Sequence, residues 1–228
     1  ASPCIGLGAF WMVGLRNGGK MSQNQKIPHS EATTIARTVY EALKPFTTAF
    51  TFAGSLRRKS PMVGDIEAVV LPTLDTVPDG FFGTKEIRSR DFVMTVHKLG
   101  HLQSGDPVAG RYCKIIVGGK FNAVTQELTG GVQLDLFIPQ PHDYGRQLAI
   151  RTGPANYSGK VLAAKWVAMG WCGTVDGLRR QSQCEQHGDK IWKLKAGLQN
   201  IQMPPVFDTE LQFFQFLGLE YVEPKFRV

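Results

Sequence analysis

Asp65 and Glu67 stand two residues apart at the head of an apolar run, Asp-Ile-Glu-Ala-Val-Val-Leu. Alternation along a strand places both carboxylates on one side. Burying like charges together raises the free energy unless something neutralises them. An ion pair with Arg57 or Arg58 is the ordinary reading of such a pair; a divalent cation is the other. Two features favour the cation. Gly54-Ser55 precedes the acids at a strand-to-helix junction, where backbone N–H groups and a helix N-terminus can approach an anion closely, and Arg57, Arg58 and Lys59 follow. Asp135 stands alone in a second apolar strand, Val-Gln-Leu-Asp-Leu-Phe. Three acids on neighbouring strands beside a phosphate-cradling turn suit Mg²⁺, which takes carboxylate oxygens together with substrate phosphates. Two such ions about 3.5–4 Å apart activate an attacking hydroxyl and stabilise a leaving oxygen.

The elements that must position these groups can be read in outline. Ser30 is an N-cap candidate for a helix over 31–44, with Ile35, Val39, Ala42 and Leu43 on one face and Pro45 as its stop. Strands are expected over 49–53, from Asp65 to Pro72, over 109–119 and over 130–139, with 73–90 as loop. Asp91 is read as capping a helix over 92–99. Further helices are expected near 143–150 and over about 155–169, a strand over 190–197, and a short capped helix over 208–218. This order predicts an α+β fold with a mixed sheet and flanking helices rather than regular βαβ alternation. Residues 1–27 read as a flexible or loosely docked leader or appendage.

Bulk properties exclude several classes. Hydrophobic residues make up 43% and charged residues 20%, which argues against disorder. No apolar run approaches the roughly 20 residues of a membrane span, and the apolar stretch 4–15 lacks the basic start of a secretory signal. Cys4, Cys113, Cys172 and Cys184 show no paired spacing, so they read as indifferent thiols in a reducing compartment. Net charge is +7, with the excess in 1–30 and 151–228. That suits a polyanionic partner without identifying one.

Taken in order, Gly-Ser, Asp-h-Glu-h and h-Asp-h (h apolar) resemble the DNA polymerase beta nucleotidyltransferase superfamily. Within it, GSLRRKSPMVGDIEAVV, VQLDLF, RTGPANYSGKVLAAKWVAMGW and LGLEYVEPKFR are similar, in type and spacing, to four motifs of the X-family DNA polymerases. The resemblance implies a nucleotidyltransferase palm over 28–150 and a small α/β thumb over 151–228, with neither lyase domain nor helix-hairpin-helix fingers, as in minimal palm-plus-thumb members. It implies two Mg²⁺ ions, replaceable by Mn²⁺, on Asp65, Glu67 and Asp135. Gly54, Ser55, Arg58, Gly64, Ile150, Arg151, Thr152, Gly153 and Ser158 would meet the nucleotide. The reaction implied is DNA-directed addition of nucleotides to a primer 3′-hydroxyl in short-gap repair-type synthesis. Its partners would be primer-template or gapped DNA and nucleoside triphosphates. The protein would be a monomer in the cytoplasm or the compartment of viral or mobile-element DNA, neither secreted nor membrane-bound. The alternative is template-independent transfer to a nucleic-acid end, a protein or a small molecule.

Departures from the family pattern cluster at 150–162. Glu67 replaces the usual Asp, Ile150-Arg151 replaces an aromatic pair, and Pro154 permits a cis bond. Ser158, Gly159 and Leu162 replace residues that face base and template. Phe137 stands where many members carry Arg, which suggests that Arg151 and Phe137 have exchanged places across the site. His97 and His101, four apart on an expected helix, read as solvent or core residues. Trp166 and Trp171 read as thumb packing, and Lys190, Lys193 and Lys195 as an alternating basic face.

Overall fold

The computed structural model describes residues 26–80, 83–122, 127–187 and 191–228. Five strands form one mixed sheet: β1 (Thr47–Phe52), β2 (Ile66–Pro72), β3 (Gly100–Gly105), β4 (Tyr112–Val117) and β5 (Val132–Phe137), in the order β1-β2-β5-β4-β3. The central pair β2 and β5 is parallel and the other neighbours are antiparallel. Period-two alternation assigns the faces. Ile66, Ala68 and Val70, with Leu134 and Leu136, join the main core against helices His29–Leu43 and Arg90–Leu99. Each of the larger side chains, Ile66, Val70, Leu134 and Leu136, fully buried, contributes roughly 1.5–3 kcal/mol. Glu67, Asp135 and Phe137 therefore take the opposite face. There Val69 and Phe137 pack beside Ala53, Tyr144 and Leu148, the last two carried by helix Tyr144–Thr152.

A second apolar cluster gathers Leu162, Trp166, Trp171, Leu178, Phe207 and Phe213. It joins a helical run over 155–168, the hairpin Trp171–Thr174/Gly177–Arg180 and helix Glu210–Phe216; a further hairpin, Cys184–His187/Ile191–Leu194, follows in the chain. That last helix opens with a capping box, Thr209 and Gln212 satisfying each other's backbone N–H groups. Trp166 and Trp171 are both buried here, as expected.

Several sequence expectations are corrected. Helix His29–Leu43 begins at Pro28, not Ser30, because Ile27–Pro28 pairs with Met62–Val63 and the His29 N–H donates to the Pro61 carbonyl. Residues 73–90 are not loop. Leu74–Pro78 and Thr84–Arg88 form a hairpin that was hidden because its side chains stay largely in solvent. Ser89, not Asp91, precedes helix Arg90–Leu99, whose first N–H is satisfied by Asp75. Gly100 ends that helix, so His97 and His101 do not share a helical face; His101 lies on β3. The run over 155–168 is no uniform α-helix, since Ser158–Ala163 is π-helical. Among the lysines, Lys195 lies beyond its strand and donates to the Ser182 carbonyl; Lys190 falls outside the described residues, as do Cys4 and residues 1–25 of the expected leader. Cys113, Cys172 and Cys184 are buried free thiols.

Candidate active site

Parallel register sets Asp135 directly opposite Glu67 across the central strand pair. Asp135 is buried and held from two sides. Tyr112 Oη donates to its Oδ1 at 3.0 Å, and Gln133 Nε2 reaches both carboxylate oxygens at 3.1 Å. Lys114, on the neighbouring strand, pairs in register with Asp135.

Gly54 occupies the turn that carries the chain from β1 beneath Glu67. Its φ is +60°, and a Cβ there would lie 1.8 Å from Glu67 Oε2, so both conformation and space require glycine. The Ala53 N–H donates to the Glu67 carbonyl at 2.8 Å, tying the turn to β2. Ser55 follows with its hydroxyl buried and unpartnered among the described residues. Such an orphan group is destabilising by about 1–3 kcal/mol unless a ligand supplies a partner. Gly64, just ahead of Asp65, has only the Lys26 side chain near its Cβ direction, at 3.9 Å.

The electrostatics follow from this crowding. Burial, then Asp65 and Asp135, push the Glu67 carboxyl up to about 7, against the opposing pull of Arg151 and Arg58. Asp65 is also raised, by burial and then by Asp135. Arg58, lowered chiefly by burial, donates to the Thr152 carbonyl. Arg151 lies 3.9 Å above the Phe137 ring, whose other neighbour is Tyr112 at 5.3 Å between centroids. The aromatic ring of Phe137 thus lies under a guanidinium whose charge favours the ionised form of Glu67.

Not every expected nucleotide contact is gathered here. Gly54, Ser55, Arg58, Thr152 and Gly153 are together, and the Gly153–Pro154 peptide is cis. Ile150 instead packs against the C-terminal cluster, and Ser158 commits its hydroxyl to the Ile150 carbonyl at 2.8 Å.

Sequence reasoning missed a network beneath the turn. Arg57 donates to Thr152 Oγ1 at 2.6 Å and to Glu210 Oε2 at 2.7 Å, while Arg227 donates to Glu210 Oε1 at 2.7 Å. Tyr221 Oη joins Glu210 at 3.3 Å. Burial pushes the Glu210 carboxyl up, but the hydrogen bonds and charges of the two arginines outweigh it and hold the group below the usual range. The clamp ties the turn bearing Ser55 and Arg58 to the last helix and the C-terminal segment. An acid opening an apolar helix and an Arg in the terminal Glu-Pro-Lys-Phe-Arg were its faint signals.

The donor chemistry fits a hard divalent cation: three carboxylates of raised mutual repulsion stand beside an orphaned buried hydroxyl. The acids are not drawn into a closed cage, however. No cluster of three potential ligands of an ion forms among the described residues. Asp135 instead turns to Tyr112 and Gln133.

No family model and no curated protein matches this sequence. Solved structures do match. Leishmania infantum polymerase beta, as a ternary P/T complex, aligns with a TM-score of 0.59 at 18% identity over 90% of this chain and 78% of that one. Its ternary gap complex aligns with a TM-score of 0.61 at 18% identity over 90% and 71%. The chain has the polymerase beta fold. The mixed sheet and the C-terminal elements both take part in that likeness, which covers 90% of this chain. Among the described residues no helix is long and apolar enough to cross a membrane.

Proposed function

We propose that this protein is a DNA-directed nucleotidyltransferase that extends a primer 3′-hydroxyl with nucleotides from triphosphates, in repair-type synthesis at short gaps. The observation that carries the reading is the register of β2 and β5, which sets Glu67 against Asp135 one turn from Gly54-Ser55 within a polymerase beta fold. A relative solved as a gap complex supports gapped DNA as partner.

Asp65, Glu67 and Asp135 would hold two Mg²⁺ ions. When bound, these supply charge neutralisation for the triphosphate and for the attacking and leaving oxygens. The chain's own groups bind and orient. Ser55 Oγ and Arg58 take phosphate oxygens, and Thr152 and Gly153 form the wall that Arg58 braces. Tyr112 and Gln133 fix the Asp135 carboxylate, and Arg151 tempers the charge of Glu67. The 3′-oxygen forms a bond to the α-phosphorus as the bond to pyrophosphate breaks, and the 3′-hydroxyl proton leaves to solvent. Positioning accounts for most of the rate, since effective molarities of well-oriented groups contribute about 7–11 kcal/mol.

One feature favours template-independent transfer as a second reading. Ser158 spends its hydroxyl on Ile150 and Gly159 presents no side chain, so this turn offers little to a templated base. Extension of a labelled primer on gapped, nicked and single-stranded DNA decides between them. Each deoxy- and ribonucleotide is supplied singly with Mg²⁺ or Mn²⁺. Incorporation that follows the template base supports the first reading, and indifference to the template supports the second.

A further inference from the structure

Beside the acid cluster lies a cavity of about 340 Å³, lined by the sheet, by the turn of the first C-terminal hairpin at Gly173–Val175 and by Ile191 and Trp192 of the second. Tyr112, Phe137 and Arg151 form one wall, Arg111 stands at an edge, and Val175 and Trp192 close it from the hairpins. Ser55, Asp65, Glu67 and Asp135 do not line it. Its size falls within the range of small-molecule sites, about 300–1,000 Å³.

The lining has a definite chemistry. It carries two guanidinium groups and no carboxylate. Arg111 gives Nη2 to Asp176 Oδ1 at 2.9 Å, but its Nη1 is buried with no partner among the described residues. Arg151 lies 3.9 Å from the Phe137 ring centroid, with its guanidinium exposed beside the cavity. The orphaned Arg111 Nη1 beside a second guanidinium calls for an acceptor-rich anion. Tyr112, Phe137 and Trp192 add aromatic surface, and a base stacked on such a ring gains about 1–3 kcal/mol. An anion joined to a planar ring satisfies both halves. We infer that this cavity binds a mononucleotide unit, its phosphate at Arg111 and Arg151 and its base on the aromatic wall. The unit is either a free nucleoside monophosphate or one unpaired residue of a DNA strand, which present the same chemistry. Because Tyr112 also holds Asp135, occupancy would be felt at the acid cluster.

The test uses the full chain in EDTA without primer, titrated by calorimetry with 5′-AMP and with adenosine. AMP should bind saturably at one site, and adenosine at least tenfold more weakly. Arg111→Gln should weaken AMP at least tenfold. So should Val175→Trp, placed where the native side chain is 75% exposed and a larger one leaves the core intact. Ser55→Ala should bind AMP as the parent does. A single-stranded oligo-dA that competes more tightly than AMP identifies the strand as source, and weaker competition identifies the free nucleotide. The inference is overturned if AMP does not bind. It is equally overturned if binding survives Val175→Trp but is lost in Ser55→Ala, which would assign it to the triphosphate site. With metal and primer absent, this result is separable from the extension assay.

Discussion

Glu67→Gln should stabilise the metal-free protein at neutral pH while removing the reaction. Glu67 titrates at about 7 in the fold against an ordinary 4.5, because burial and the neighbouring acids oppose its ionisation. The folded state therefore holds a proton that the unfolded chain has released between those two values. Stability from this group is fully present below about pH 4.5 and is lost as pH rises through about 7. At 1.36 kcal/mol per unit, the loss by pH 8 is at most about 3 kcal/mol, less as solvent reaches this half-buried side chain. Gln keeps the shape and has no charge to desolvate, so the variant should exceed the parent by up to that amount at pH 8 and match it at pH 4.5. Urea unfolding in EDTA across this range, read as variant minus parent, isolates Glu67 from other titrating groups. Mg²⁺ should narrow the gap at pH 8, by stabilising the parent more than the variant. A difference that stays flat with pH, or that grows toward acid, would mean that Glu67 is not held protonated by the fold.

Other perturbations have equally definite outcomes. Glu210→Gln leaves the Arg57 and Arg227 guanidiniums without their carboxylate; a broken buried pair costs about 3–5 kcal/mol, and thermal unfolding should show a Tm lower by roughly 10 °C. The pH response of Glu210 is opposite to that of Glu67: its folded value is depressed, so its contribution is present above the ordinary 4.5 and lost as acid carries the pH through the folded value. Gly54→Ala forces a left-handed residue and displaces Glu67, so stability should fall by about 1–2 kcal/mol, and extension should drop with it. Arg151→Ala should lower turnover roughly tenfold, as the cation on Phe137 is worth about 1–2 kcal/mol near a desolvated acid, with Arg151→Lys intermediate because it keeps charge without the planar stack. An unchanged rate with every nucleotide would remove Arg151 from the site.

What the sequence revealed follows from where the physics is local. Asp65, Glu67 and Asp135 stood out because a charge inside an apolar strand is costly and needs a cause. Thr209 and Gln212 announced their helix through capping within four residues. The hairpin over 74–88 was invisible because neither strand has a buried face to impose alternation. The π-turn over 158–163 has no compositional mark. Tyr112 and Gln133 looked like ordinary strand residues until register brought them to Asp135. The Arg57–Glu210–Arg227 clamp joins positions more than a hundred residues apart, and only the folded chain specifies it.

Cation-dependent nucleotidyl transfer is assigned to Asp65, just ahead of β2, with Glu67 on β2 and Asp135 on β5. Single-nucleotide extension of a labelled primer on gapped DNA with Mg²⁺ tests it most directly, comparing the parent with Asp65→Ala and Asp135→Ala. The parent should show template-directed extension and each variant a loss of at least about 100-fold, with folding retained by circular dichroism. Extension by the folded variants at the parent's rate would contradict it.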